Sequence, residues 1–445
     1  MADITALELP GASDEAPLNR FHRRAVLVSG MAFFTDAYDL FVIGIVSTLL
    51  KEQWQLDSGQ LALLNAVMLG AAFFGALVFG RIADLIGRTR VYRLVAALMA
   101  VAAVGSALAP SLAVLIGFRF LLGLGVGGDY PVSAVLMTEY ANRKDRGRLV
   151  GLVFSAQAAG LVVGPLIALA LLGAGTGADA TWRLLLGLGA LPALSAVWLR
   201  RKMPEPPSYQ ARIRELRPAT ASRRRPPLGA DLRGCLCTRR CLKLLAGTAG
   251  CWFLLDYAYY GNTISTPQIV SLVAPGASAT ATIAIQLAIF VVAALPGYAL
   301  AVTMMDRIGH RKLQLAGFAM MGACFAVIGL VPGMTTAVVP FLLAYGISYF
   351  FTEFGPNVTT FVIPGELFRT EVRATAHGIA AGAGKLGAFI GVFLFPVLQD
   401  SLGLHGTLLL TAGISAGGAL LTLVLPEPAG RTLAEVSGDE AAAAA

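Results

Sequence analysis

Apolar runs of membrane-spanning length recur along the whole chain. A helix that crosses a bilayer needs about 20 predominantly apolar residues, and the sequence contains twelve such segments. They cover residues 24–50, 60–80, 91–109, 111–138, 149–173, 182–199, 243–272, 280–304, 312–331, 336–363, 375–398 and 404–425. We therefore predict an all-α membrane protein, and we number these segments as spans one to twelve.

The composition excludes an ordinary soluble domain. Of the 445 residues, 56% are apolar and only 13% are charged, whereas about a quarter of the residues in a soluble domain are charged. The 50 glycines suit helices that approach each other closely within a bilayer. Basic loops and anionic lipid headgroups account for the net charge of +8, so a nucleic-acid partner is not predicted.

Basic residues mark alternate loops between the spans. They concentrate near residues 20–24, 81–93, 143–148, 200–240, 307–312 and 369–373. Because cytoplasmic loops carry the excess of Lys and Arg, we predict that both termini are cytoplasmic. Residues 1–19 have no apolar core, so they are not predicted to be a signal peptide.

An Arg- and Pro-rich loop divides the spans into six plus six. The predicted regions are an N-terminal segment, a first bundle, a linker, a second bundle and a tail, at residues 1–23, 24–199, 200–242, 243–425 and 426–445. The loop carries Cys235, Cys237 and Cys241, but no neighbouring Cys or His completes a metal site. Neither a metal nor a cofactor is predicted, and all five cysteines are expected to be reduced.

Two short motifs repeat at an offset of about half the chain. GRIADLIGRTR (Gly80–Arg90) follows span two, and MDRIGHRK (Met305–Lys312) follows span eight. TEYANRKDRGR (Thr138–Arg148) follows span four, and GELFRTEVRATAHG (Gly365–Gly378) follows span ten. Such a repeat predicts two homologous six-helix bundles related by pseudo-symmetry.

Ionisable residues interrupt several of the apolar runs. A charge at the bilayer centre costs about 2.5–3.5 kcal/mol or more, so such residues normally serve a pathway or a bound ion. They are Asp36, Asp39, Asp129, Asp256, Glu353 and Lys385. The first three have no obvious cationic partner on their own helices, and Arg119, a helical stretch before Asp129, is the nearest candidate.

The repeated loops resemble the major facilitator superfamily. Its most recognisable signature is the Asp-x-x-Gly-Arg loop between helices two and three, and MPEPPSY (Met203–Tyr209) is similar to an element common in its sugar porters. The carboxylates and arginines of these loops form candidate cytoplasmic ion pairs that hold the halves together when the inner side is shut. The candidate gating residues are Asp84, Arg88, Glu139, Arg146, Asp306, Arg311, Glu366 and Arg373.

Four further segments resemble the phosphate:proton symporters of that superfamily. They are FFTDAYDLF (Phe33–Phe41), GGDYPVSAVLMTE (Gly127–Glu139), GPNVTTFVIPGELF (Gly355–Phe368) and RATAHGIAAGAGKLGAFIG (Arg373–Gly391). The resemblance covers essentially all twelve spans. One departure is Arg369, which stands where the family usually has proline after helix ten.

The resemblance implies a phosphate site halfway through the membrane and a proton pathway beside it. The implied substrate ligands are Tyr130, Gln157, Trp252, Asp256, Tyr260, Asn357 and Lys385. The implied proton-coupling residues are Asp36, Asp39, Asp129 and Asp256, with Arg119. The chemistry fits, since a lysine is a point-charge phosphate binder and neutral donors replace the water around an anion.

Asp256 is unexpected beside an anion. Trp252, Asp256 and Tyr260 are spaced i, i+4 and i+8, which places them on one helical face. Two negative charges close together in a low dielectric repel strongly. Either Asp256 is protonated when substrate binds, or it accepts a hydrogen bond from a protonated phosphate oxygen.

The sequence therefore predicts a proton-coupled importer of inorganic phosphate that works by alternating access in a cell membrane. The Ala-, Gly- and Arg-rich composition favours a bacterial inner membrane, and we expect the protein to function as a monomer. The alternatives are a proton-coupled porter of a sugar, a phosphodiester or an organic anion, and a transporter-like nutrient receptor. An enzyme is disfavoured because no nucleophile–base pair is evident.

Overall fold

A computed structural model describes Leu18, residues 20–200, Gly234 and residues 238–437, and the ordered elements in these ranges are helices. The first half contains α1 (Arg20–Gln53), α2 (Ser58–Ile86), α3 (Arg88–Ala107), α4 (Leu112–Tyr140), α5 (Arg146–Ser155), α6 (Gln157–Gly173), α7 (Ala178–Leu188) and α8 (Ala190–Arg200). The second half contains α9 (Arg239–Ile264), α10 (Thr266–Val273), α11 (Ala279–Ile289), a π-helical turn (Phe290–Ala294), α12 (Leu295–Ile308), α13 (His310–Leu330), α14 (Val338–Phe354), α15 (Pro356–Leu367), α16 (Arg373–Thr422) and α17 (Leu433–Ser437).

The twelve predicted spans all fall on these helices, but several spans are interrupted. By length and composition alone, nine stretches of the described residues are apolar enough to cross a membrane. The difference between twelve and nine has three causes. Spans eleven and twelve run together as α16 across a bend at Gly403 (φ 67°, ψ 176°). Span six is divided between α7 and α8, and span seven is less apolar because α9 carries Asp256 and three tyrosines.

The helices form two bundles whose interface places the candidate site. In the first bundle α2 packs on α4 and α1 on α6, and in the second α9 and α13 pack on α16. The two bundles meet where α2 contacts α16 and where α5 contacts α12. The loop motifs described above follow α2, α4, α12 and α15, so they gather at one end of this interface.

Glycines permit the closest helix contacts within each bundle. A side chain at Gly127 of α4 would collide with the main-chain oxygen of Ala72 on α2. A side chain at Gly387 of α16 would collide with the main-chain oxygen of Phe253 on α9. Small residues are the usual means by which helix backbones approach in membranes, and these two contacts fix the helices that carry Asp129 and Lys385.

One expectation about the cysteines is wrong. Cys251 and Cys324 are free and buried, as expected. Cys241 is disulfide-bonded, although all five cysteines were expected to be reduced. Cys235 and Cys237 lie outside the described residues.

The glycine contact predicts a specific instability. Gly127→Ala should destabilise the first bundle by about 1–3 kcal/mol, because the added methyl group overpacks the α2–α4 contact. Gly117→Ala is the matched control on the same helix, since a side chain there meets no atom within 4 Å. Thermal unfolding of the two variants in detergent is the measurement, and equal melting temperatures would contradict the close approach.

Candidate substrate site and interdomain latch

A buried lysine lies at the centre of the molecule. Nζ of Lys385 lies 3.3 Å from Oδ2 of Asp256 and donates hydrogen bonds to the phenol oxygens of Tyr260 (3.0 Å) and Tyr130 (3.3 Å). The ammonium also lies 4.4 Å from the ring centroid of Tyr130 and 4.5 Å from that of Tyr260. The lysine therefore has one carboxylate and two aromatic rings as its surroundings, contributed by both bundles.

The helical period explains how α9 contributes to this cluster. Trp252, Asp256 and Tyr260 lie on one face, so all three point toward α16 and α4. The Trp252 ring packs against Tyr130 at a centroid distance of 6.1 Å and against Phe361 of α15 at the same distance. Asp256 and Tyr260 contact Lys385 directly, and Trp252 reaches the cluster through the ring of Tyr130.

The two predicted amides meet at a residue that the sequence did not single out. Gln157 of α6 and Asn357 of α15 both donate hydrogen bonds to the phenol oxygen of Tyr298, at 2.6 and 2.7 Å. Asn357 also donates to Glu353. Tyr298 lies on α12, in an otherwise apolar span. A hydroxyl group within that apolar span is the only feature of the sequence that could have pointed to Tyr298 as a site residue.

One of the two amides lies where a membrane-crossing segment is broken. Asn357 lies in the first turn of α15, after the break at Gly355 (φ −122°, ψ −105°), whereas Gln157 opens α6 after Ala156, whose backbone angles (φ −61°, ψ −22°) remain helical. Broken helices of this kind are how transporters expose polar groups at the bilayer midplane. The seven predicted substrate ligands are between 1% and 3% exposed, so this conformation closes the site to solvent.

Arg119 is the partner of Asp39. Its Nη1 lies 3.9 Å from Oδ1 of Asp39, and its Nη2 donates to the main-chain oxygen of Asp39 at 2.9 Å. Asp129 instead accepts a hydrogen bond from Ser133, at 2.8 Å. Arg119 and Asp129 are ten residues apart on α4, which separates them by about 15 Å along the helix axis. Asp36 is buried and acts electrostatically on Tyr130.

Charged loop residues join the bundles at one end of the interface, and we call this group the latch. Glu139 of the first bundle lies 3.4 Å from Arg88 and 3.1 Å from Arg373 of the second bundle. Asp84 pairs with Arg88 at 3.2 Å and accepts hydrogen bonds from the main-chain N–H (2.7 Å) and hydroxyl (2.5 Å) of Thr375. Asp84 thus caps the first turn of α16 across the interface, where a helix N-terminus favours negative charge.

The second half of the latch repeats the arrangement of the first. Asp306 accepts the main-chain N–H of Arg148 at 2.7 Å, in the first turn of α5. His310 lies between Asp306 (3.1 Å) and Glu366 (2.9 Å). His310 follows Asp306 by four residues, as Arg88 follows Asp84, so it occupies the position equivalent to Arg88.

Two predicted gating residues make other contacts. Arg311 donates to the main-chain oxygen of Leu423 at 3.0 Å. Arg311 follows His310 by one residue on α13, so its side chain lies on a different face of the helix and does not face the interface. Aligning the two repeats on their Asp residues would have selected His310 instead. Arg146 lies in the latch region and donates to the main-chain oxygen of Arg431 at 3.1 Å.

The fold and the site together define a class of membrane transporter. A model of the family described as Major Facilitator Superfamily matches residues 27–363. Among solved structures, the proton:xylose symporter XylE bound to 6-bromo-6-deoxy-D-glucose has a TM-score of 0.81. The match covers 94% of this chain and 98% of XylE, and the identity of 19% restricts that likeness to the fold.

Closer relatives narrow the assignment. The protein named "Probable inorganic phosphate transporter 1-6" of Arabidopsis thaliana is 34% identical over 96% of each chain. "Inorganic phosphate transporter 1-6" of Oryza sativa subsp. japonica is 36% identical, over 97% of this chain and 95% of its own. The chain belongs to the major facilitator superfamily and, within it, to the family of these relatives. It is a multi-pass membrane transporter and not an enzyme.

The latch geometry predicts which substitution opens this side of the protein. Glu139→Gln should shift the population toward the open state, because Arg88 and Arg373 lose the buried carboxylate that holds them together. The distance between spin labels at the C-terminal end of α2 and the N-terminal end of α16 should increase, and its distribution should broaden. Asp179→Asn is the control, since its ion pair with Arg183 is exposed and joins no helices of different bundles. Unchanged distances in the Glu139 variant would contradict a role for this ion pair.

Proposed function

We propose that this transporter imports inorganic phosphate together with protons by alternating access. The observation that carries the proposal is Lys385, a fully buried cation between the two bundles that hydrogen-bonds to phenols from both. An anion bound to that ammonium would contact both bundles at once. The names of the relatives support phosphate as that anion.

The Lys385–Asp256 pair explains how an anion enters without leaving an unbalanced charge. In the structure the carboxylate neutralises the lysine at 3.3 Å. A dihydrogen phosphate ion would replace Asp256 as the partner of the ammonium. If Asp256 binds a proton, the lysine and the phosphate balance each other and the buried site is neutral, which the low dielectric favours. If Asp256 stays ionised and accepts the O–H of phosphate, the site keeps one net negative charge, so protonation of Asp256 balances the site better.

Neutral donors complete the proposed shell. The hydroxyls of Tyr130 and Tyr260, the indole N–H of Trp252 and the amides of Gln157 and Asn357 can each donate to a phosphate oxygen. None of these groups adds a charge, so the single ammonium sets the charge selectivity of the site.

The alternatives fit these contacts less well. A sugar site needs polar groups but no buried cation, so burying Lys385 would be a cost without a purpose. A phosphodiester or another small anion shares the charge of phosphate but is larger, while this closed site is lined by bulky aromatic rings. A receptor that signals without flux has no feature in the described residues to favour it.

The proposed proton pathway runs through the first bundle. Asp36, Asp39 and Asp129 are buried, with Arg119 holding Asp39 through its main-chain and side-chain oxygens. Asp256 belongs to both sets, because it faces the lysine. Asp36, Asp39 and Asp129 are not among the proposed substrate ligands, which suits groups that load protons separately from phosphate.

Alternating access would rock residues 24–199 against residues 243–425, with the latch closing the cytoplasmic side. In the proposed orientation both terminal segments, residues 1–23 and 426–445, are cytoplasmic. Residues 200–242 form the linker between the two bundles. We place the protein in the cell membrane as a functional monomer. The bacterial origin stays a prediction, because the relatives reported above are plant proteins.

Uptake into proteoliposomes tests the function. An imposed pH gradient, acid outside, should drive accumulation of radiolabelled phosphate, and collapse of the gradient with a protonophore should abolish it. Excess arsenate should compete because it shares the charge and size of phosphate. Inhibition by a hexose with no effect of arsenate would overturn the assignment in favour of a sugar porter.

The buried ammonium makes a second prediction. Lys385→Ala should weaken phosphate binding by about 2 kcal/mol or more, since the anion loses a buried charge partner. Lys51→Ala is the control, because that lysine is exposed at the end of α1. Calorimetric titration of purified protein measures the effect. An unchanged dissociation constant would assign Lys385 a structural role.

A further inference from the structure

A second carboxylate lies beside the substrate cluster, in the second bundle. Glu353 is on the last turn of α14, and Asn357 is on the first turn of α15, on either side of the break at Gly355. The Glu353 side chain is fully buried, with 0% relative exposure. It accepts a hydrogen bond from the amide of Asn357.

No cation balances this carboxylate within the described part of the chain. Lys385 pairs with Asp256, and the structure records no ion pair for Glu353 in those residues. Its Oε1 accepts no hydrogen bond at ordinary distance. The titratable groups that face it are the phenols of Tyr259, Tyr298 and Tyr349 and the carboxylate of Asp256. An unpaired buried charge is costly, so a carboxylate in such surroundings is suited to take up a proton and give it back.

The contacts of Asn357 connect this carboxylate to the substrate. The two hydrogens of the Asn357 amide are both in use, one on Glu353 and one on Tyr298. An incoming anion needs donors, so Asn357 can serve phosphate only when one of these hydrogens is released. The Tyr298 oxygen already accepts from Gln157 and Asn357, so only its own O–H remains to donate, and Glu353 is a neighbouring carboxylate.

We infer that Glu353 is a proton-binding site coupled to the anion site through Asn357. This inference rests on the proposed function and adds a coupling carboxylate in the second bundle to those of the first. The Glu353 carboxylate takes one proton from the outer side of the membrane on Oε1 and becomes a neutral acid that accepts hydrogen bonds weakly. Asn357 then turns an N–H toward phosphate. Once phosphate has left, Glu353 releases the proton to the cytoplasmic side and the amide returns to the carboxylate.

Thermodynamic linkage sets the sign of the effect. If protonation of Glu353 favours phosphate binding, phosphate binding favours protonation of Glu353 by the same factor. Wild-type protein should therefore bind phosphate more tightly at acid than at neutral pH, by about tenfold for a coupling of ordinary size. A side chain that is always neutral should remove this contribution.

Glu353→Gln is the decisive variant, since it keeps the size of the side chain and cannot bind a proton. Two assays in proteoliposomes separate coupling from binding: phosphate counterflow without a gradient, and accumulation driven by a pH gradient with proton entry followed by an internal dye. We expect counterflow to persist, driven accumulation and proton entry to fall by about tenfold, and the phosphate dissociation constant to change less with pH than in wild type. Comparing variant and wild type at each pH cancels the titration of phosphate itself.

Asp400→Asn is the matched control, because Asp400 is exposed on α16 and distant from the substrate cluster. Driven accumulation and proton entry equal to wild type in the Glu353 variant would overturn the inference while leaving the proposed function intact. Loss of counterflow together with accumulation would assign Glu353 a structural role and overturn it as well. Absence of phosphate counterflow in wild type would overturn the proposed function and the inference with it.

Discussion

The buried ion pair between Lys385 and Asp256 is the interaction around which the rest of the molecule is arranged. A lone ammonium at bilayer depth would be prohibitively expensive, and at 3.3 Å the carboxylate compensates it. Tyr130 and Tyr260 contribute both hydroxyl acceptors and ring faces to the same ammonium. The ion pair itself lies within the second bundle, on α9 and α16, and Tyr130 of α4 adds a hydroxyl and a ring face from the first bundle. The ammonium therefore has all of these partners only when the two bundles are together.

The latch also balances buried charges, at one end of the interface between the bundles. Glu139 holds two arginines from different bundles, and Asp84 and Asp306 each reach across the interface to cap a helix of the opposite bundle. The two halves are equivalent in geometry but not in chemistry. The first uses Arg88, which is always charged, whereas the second uses His310, whose charge depends on a proton. The duplicated fold has thus kept its capping geometry while the cation changed.

A broken helix carries one of the polar groups inside the bundles. Asn357 follows the break at Gly355, whereas Gln157 follows Ala156, whose backbone stays helical, and both side chains donate to Tyr298. A break frees main-chain groups that a continuous helix satisfies itself, and breaks of this kind occur at the binding sites of transporters. The exchange proposed for Asn357 uses this freedom without moving a whole helix.

The sequence by itself determined the membrane class, the twelve spans, the internal repeat and most of the residues that surround Lys385. These properties depend on short-range periodicity, such as the common face of Trp252, Asp256 and Tyr260, and on motif spelling. Only the tertiary structure decided that Arg119 pairs with Asp39, that His310 replaces Arg311 in the latch, and that Tyr298 joins the two amides. Each of these contacts joins different helices or depends on how a helix is rotated about its axis. Which helices touch, and at what depth, follows from glycine contacts such as Gly127 against Ala72, and the local pattern of a single span does not encode them.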